Sequence, residues 1–191
     1  LNYAHHLFQL PVGIIGTAVG TALLPVLSKH IKLNDLKSAN EQLNRSLEVS
    51  IAMSVSSMIG LMLLAEPIVR ILFERGIFTS TDSINTAYAL LVFAIGLPAY
   101  MLTKTLSPFF FAKGDTKTPV KIAIFGVFLN VVLALIFMQF WGYLGIALAT
   151  GVTVWINAGQ YVVRLKKQGA VSLDSLAKYR LPRILGAAFL M

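Results

Sequence analysis

Cysteine is absent from the 191 residues, so no disulfide framework, thiolate metal site or cysteine nucleophile is available. Charge is also scarce. Asp, Glu, Lys and Arg make up 13% of the chain and hydrophobic residues 57%, whereas a soluble domain carries about 25% charged residues. That balance argues against a soluble globular fold, and also against disorder, which needs the opposite composition. Acids are the scarcer sign, with 8 Asp+Glu against 16 Lys+Arg. None of the acids lies inside a long uncharged run, so the chain lacks the intramembrane carboxylates that a lipid-diphosphate transferase would use to hold Mg²⁺. No HExxH, DDxxD-like, GxSxG or GxxxxGKS/T pattern occurs, which leaves catalysis without a foothold. The basic residues sit in short loops, not on one domain face, so no nucleic-acid module is visible and no nucleic-acid partner is expected.

What the chain does have is long hydrophobic runs. Residues 7–28 and 49–65 carry no charge, Lys104 is the only charge between Ser83 and Ala112, and Ile122 to Val163 is uncharged throughout. A spanning helix takes about 20 apolar residues, so the last run must hold two. It divides at Gln139-Phe140-Trp141-Gly142-Tyr143, where aromatics of the interfacial type flank a glycine. The expected fold is all-α, a polytopic membrane helical bundle forming a single transmembrane region over 1–191. Its spans fall near 3–28, 45–65, 82–110, 119–139 and 143–163, and a truncated span opens at 184. The chain starts at Leu1, without a signal peptide before the first span, and reads as an internal fragment of a longer polytopic protein.

Charge placement orients the spans. One side collects Lys29, Lys32, Lys37 and Arg45, then Lys104, Lys113, Lys117 and Lys121, then Arg164, Lys166, Lys167, Lys178, Arg180 and Arg183; the other has only Arg70 and Arg75. Cytoplasmic loops collect Lys and Arg. Segments 29–45, 111–121 and 164–183 are therefore expected in the cytoplasm, and the first span runs from outside to inside. Local chemistry sets the boundaries. Thr79-Ser80-Thr81-Asp82 has the capping-box pattern. Thr118 is placed to cap a helix that Pro119 opens. Glu66-Pro67 should end or kink the second span, and residues 67–75 should form a short helix in the outer interface.

Several side chains at membrane depth are candidates for function. His6, Gln9, Gly13, Gly16 and Gly20 recur at intervals of 3 and 4, which puts them on one helix face. The glycines permit close approach of another helix. His6 and Gln9 are polar groups expected to face a protein interior or a water cavity; the alternative is an interfacial His5–His6 pair without a role. Lys104 lies nine residues, about 13 Å, before Lys113. It is either a cation lining an aqueous cavity or a lysine snorkelling to the boundary, with Pro108 bending its helix. Thr150, Thr153, Asn157 and Gln160 form a polar stripe in the fifth span, and Asn130 of the fourth could meet it. Interhelical hydrogen bonding is one reading, and a neutral oxygen cage for Na⁺ built on Asn130 and Thr150 is the other.

Three stretches, with the opening Tyr3-Ala4-His5-His6-Leu7, carry a family resemblance. They are Leu24-Pro25-Val26-Leu27-Ser28-Lys29, Leu72-Phe73-Glu74-Arg75-Gly76-Ile77-Phe78-Thr79, and Phe111-Ala112-Lys113-Gly114-Asp115-Thr116-Lys117-Thr118-Pro119-Val120-Lys121. Together they resemble the MurJ/MviN family of lipid II flippases, within the multidrug/oligosaccharidyl-lipid/polysaccharide (MOP) exporter superfamily. The resemblance runs along essentially the whole chain. It implies fourteen helices in two lobes, of which this chain supplies most of the C-terminal one. It also implies alternating access around a polar cavity in the bacterial inner membrane, serving peptidoglycan synthesis. The partners so implied are a lipid-linked diphosphate substrate, membrane lipids and the remaining helices; no cofactor is implied beyond a coupling cation such as Na⁺ or H⁺.

On this resemblance His6, Lys104, Gln9 and His5 are the substrate-binding candidates. The family commonly has Asp-Arg where this chain has His5-His6, and that arginine is taken to bind the anionic substrate. His6 replaces it only in part, since arginine is always charged and bidentate while free histidine is mostly neutral at pH 7. Other exporters of the superfamily, for polysaccharide-lipids or drugs, and a membrane-embedded transferase are the alternative readings.

Overall fold

A computed structural model describes residues 2–74 and 78–167, and among them every regular element is helical. The first span is continuous from Asn2 to Lys32, as α1 (Asn2–Pro11), a π-helical turn (Val12–Gly16) and α2 (Thr17–Lys32). Then follow α3 (Leu36–Leu63), α4 (Ala65–Phe73), α5 (Ser80–Ile95), α6 (Leu97–Ala112), α7 (Lys117–Trp141) and α8 (Tyr143–Lys167). Four stretches are single helices long and apolar enough to cross a membrane, and α5 with α6 makes a fifth crossing bent by 42°. The truncated span expected from 184, and most of 164–183, lie outside the described residues.

The helices run further than hydropathy alone expects. Segment 29–45 is not an open loop: only residues 33–35 separate α2 from α3. The physical reason is amphipathicity. Ala39, Leu43 and Leu47, four residues apart, bury one face of α3 against an inner core with Leu27, Phe109 and Phe110, while Lys37, Glu41 and Arg45 stay exposed. Asp35 starts the helix by accepting the Ser38 amide at 3.0 Å. Hydrogen bonds from Ser38, with His30 nearby, hold the Asp35 carboxyl below its ordinary range.

Other boundaries are chemical. Pro67 cannot donate to the Leu63 carbonyl and its ring crowds that carbonyl; α3 ends at Leu63 and α4 begins two residues on. In α4, Arg70 reaches Glu66 at 2.9 Å and Glu74 at 3.8 Å. The capping box at Thr79 is present in both directions. Gly142, at φ +56, makes the tight turn between α7 and α8 that only glycine adopts at low cost.

Pro108 lies inside α6, and a 42° bend of this span lies between α5 and α6. There Pro98 withholds the amide that would bond Ala94, and the indole of Trp155 donates to the neighbouring Ile95 carbonyl at 3.2 Å. Thr118 is not a cap. α7 begins at Lys117, and the Asp115 carboxylate accepts the Thr118 amide at 3.0 Å. Thr116, at the boundary itself, makes no side-chain cap, and Asp115 one residue before it takes the amide instead. The Thr118 hydrogen bonds, together with Arg164, keep its carboxyl below the usual carboxylate range.

Three packed clusters hold the described bundle. Phe8, Val69, Leu90, Leu97 and Met101 belong to the first, Leu27, Leu43, Phe109, Phe110 and Leu165 to the second, and Ala99, Val154 and Ala158 form a small third. Buried Ser50 and Thr105 share a hydrogen bond of 2.9 Å between α3 and α6. Where lipid replaces water, such close packing and hydrogen bonding hold helices together. On α7, Ile124, Val127, Phe128, Val131 and Leu135 are exposed, a surface suited to acyl chains.

Candidate functional site

A hollow of about 270 Å³ opens between the first span and α6, lined by His5, Phe8, Gln9, Val12, Gly13, Thr17, Tyr100 and Lys104. Phe8, only 1% exposed, braces it from behind and meets Tyr100 edge-on at 5.2 Å. The His5 ring packs edge-on to Phe93 at 5.6 Å. Nε2 of Gln9 stands 2.7 Å from Nε2 of His5. A neutral His5 would accept from the carboxamide there, and a charged one would donate to it after an amide flip.

Lys104 enters from α6 across the glycine stripe. A Cβ at Gly16 would stand 3.4 Å from Lys104 Cγ and 3.5 Å from Met101 Sδ, and one at Gly20 would stand 3.8 Å from the Lys104 carbonyl oxygen. The small residues thus let α2 and α6 approach closely, as their spacing indicated. The lysine stem lies over Gly16, and the residue remains exposed. Among the described residues no carboxylate lines the hollow.

The structure brings His5, Gln9 and Lys104 together but leaves His6 apart, exposed and outside the lining. His6 was expected to share the inward face with Gln9; beside Gln9 it is His5 that lines the hollow. Both imidazoles precede Gln9 by one turn, at i−4 and i−3, and within α1 it is the i−4 ring of His5 that reaches the Gln9 carboxamide; the spacing alone does not choose between the two. Tyr100 and Thr17 also line the hollow and were not singled out; Tyr100 is one turn before Lys104, and Thr17 one turn after Gly13.

Asn130 and Thr150 lie elsewhere, between α7 and α8. The Asn130 carboxamide donates to Thr150 Oγ1 at 3.3 Å, and the Thr150 hydroxyl donates to the Ile146 carbonyl at 3.0 Å. Interhelical hydrogen bonding is therefore present. Asn157 of the same stripe fills the space beside Gly126, where a Cβ would collide with its side-chain amide. Among the described residues no cluster of three His, Cys, Asp or Glu could hold a metal.

Comparison with known proteins places this arrangement. Residues 1–191 match a family model described as lipid II flippase MurJ. The chain is 39% identical over 191 residues to a probable lipid II flippase MurJ of Rickettsia prowazekii, covering all of this chain and 38% of that protein. It is 38% identical to the corresponding protein of Rhizobium meliloti, covering 100% of this chain and 36% of that one. A solved structure of lipid II flippase MurJ in an inward closed conformation superposes with TM-score 0.78 at 34% identity, covering 86% of this chain and 34% of that one. The chain thus spans little more than a third of the length of these relatives.

Proposed function

The chain belongs to the lipid II flippase MurJ family, and from that premise we propose that its helices wall part of a cavity through which lipid II crosses the bacterial inner membrane by alternating access. The observation that carries this reading is the grouping of Lys104 with the His5–Gln9 pair around a hollow whose lining includes no acid. A cation at membrane depth is costly unless it meets water or an anion. A diphosphate has the opposite need, since bare charge in hydrocarbon costs several to tens of kcal/mol. Each removes the other's penalty, while the prenyl tail stays in lipid.

In this reading Lys104 supplies the cation that meets the diphosphate, and the His5 imidazole, held by Gln9, lines the hollow beside it; His6 is peripheral. Residues 33–35 and 113–116 and the end of α8 face the cytoplasm; α4 lies at the outer surface. No resident cofactor takes part. A coupling cation, H⁺ or Na⁺, supplies the direction. For Na⁺, Asn130 would turn its carboxamide oxygen to the ion, and the Thr150 oxygen would join it while still donating to Ile146. Transport indifferent to both Na⁺ and pH would remove that part of the proposal.

The test is functional replacement. The full-length protein containing these residues, expressed in bacteria depleted of their own flippase, should restore growth and the appearance of lipid II at the outer leaflet. Normal membrane insertion without either would overturn the reading.

A further inference from the structure

Trp155 stands midway along α8, between its ends at Tyr143 and Lys167. Tryptophan in membrane proteins gathers at the two interfaces, where one end of the ring is wet. Trp141 and Tyr143, at the turn between α7 and α8, fit that habit. An indole N–H in the middle of a span has no water to meet and needs an acceptor within the protein. Trp155 has one in the Ile95 carbonyl at the end of α5, at 3.2 Å.

That carbonyl has the matching need. In an unbroken helix it would accept the Ala99 amide, but the 42° bend intervenes. The backbone bonds made at the junction run from the Gly96 amide to Phe93 at 2.9 Å and from the Tyr100 amide to Gly96 at 3.0 Å; neither uses Ile95. Breaks in membrane helices persist where a neighbouring helix satisfies the groups they free, and α8 does so here. One turn before Trp155, Gly151 lets the two backbones meet. A Cβ on Gly96 would lie 3.6 Å from the Gly151 Cα, and one on Gly151 would lie 4.0 Å from the Val92 carbonyl oxygen. The same face of α8 thus gives the bend both a close backbone contact and a hydrogen bond.

What lies beyond the bend gives it a role. α6 carries Tyr100 and Lys104 into the hollow, and Lys104 is about 12 Å past Gly96 at the helical rise. At that radius a change of about 10° in the bend swings the lysine by about 2 Å. Loss of the whole 42° swings it by about 9 Å. Either takes an ammonium out of hydrogen-bond distance of a fixed anion. We propose that Trp155 is a positioning residue for Lys104. Its indole N–H, seated on the Ile95 carbonyl, latches the bend at the angle that keeps the lysine in the hollow, and the Gly96–Gly151 contact is the pivot. The inference rests on the reading of Lys104 as the cation that faces substrate.

Two substitutions in the full-length protein separate the bond from the bulk. Trp155→Phe keeps an aromatic ring and loses the donor. Trp155→His loses bulk but keeps a ring N–H in reach of Ile95, because imidazole overlays the five-membered half of indole. In flippase-depleted bacteria, Trp155→Phe at normal membrane levels should lower lipid II exposure at the outer leaflet roughly three- to tenfold, the worth of one hydrogen bond, and Trp155→His should recover most of it. A second readout needs no transport. With Lys104→Cys in a background whose other cysteines are replaced, Trp155→Phe should slow reaction of the new thiol with a small water-soluble reagent by a similar factor, and Trp155→His should restore the rate. Unchanged values of either readout in Trp155→Phe would overturn the proposal. So would equal losses in both variants, which would assign Trp155 to packing. If the unaltered protein exposes no lipid II, the flippase reading fails while the thiol rates still test the latch. If Lys104→Ala stops transport but Trp155→Phe changes nothing, the latch alone fails.

Discussion

At the scale of single residues, the candidate site hangs on which of two adjacent imidazoles faces the hollow. The sequence made the types legible: a lysine alone in an uncharged run, and histidine with glutamine on a helix that should be apolar. The direction was hidden, because His5 and His6 stand four and three residues before Gln9 and both positions neighbour it on a helix. The consequence is measurable. In the full-length protein, His5→Leu should impair complementation strongly and His6→Leu mildly, with comparable membrane levels. His5→Arg should retain function, since it places a cation in the hollow. A severe defect confined to His6→Leu would restore the original face and remove His5 from the site.

At the scale of elements, the spans were readable from hydropathy, and the Thr79 capping box and Gly142 turn from local chemistry. Less readable were the inner ends of the helices. The amphipathic start of α3 looks like a charged loop to any count of uncharged residues, and the bend between α5 and α6 was not singled out. A proline's effect depends on whether neighbouring helices satisfy the carbonyl it frees, and sequence does not carry that. The glycine stripe is the element that presents Lys104. Gly16→Leu would push a side chain into the Lys104 stem and Met101, at an overpacking cost of about 1–3 kcal/mol, and should lower transport while Lys104 is intact. Gly13→Ala should be nearly silent, because no neighbouring atom lies within 4 Å of where its Cβ would stand. Equal defects in the two variants, with equal membrane levels, would show that close approach of α2 to α6 is not what positions the lysine.

At the scale of the whole molecule, the alternation of basic residues and the resemblance along the chain give the same architecture, and the 0.78 superposition on a MurJ structure agrees with both. The proposed sidedness rests on charge placement and can be checked directly. The chain has no cysteine, so a full-length background with any other cysteines replaced can take single reporters. Lys37→Cys and Lys117→Cys should resist an impermeant thiol reagent added to intact cells, and Thr81→Cys should react; the opposite pattern would invert the topology. The central claim is that Lys104 meets the anionic part of a lipid-linked substrate in a cavity, and does not snorkel to the surface. It is tested most directly by measuring lipid II at the outer leaflet in flippase-depleted cells that express the full-length protein with Lys104→Ala or Lys104→Arg. The account predicts that the alanine variant, present at normal levels in the membrane, exposes no lipid II, and that the arginine variant exposes part of the wild-type amount; wild-type exposure by the alanine variant would contradict it.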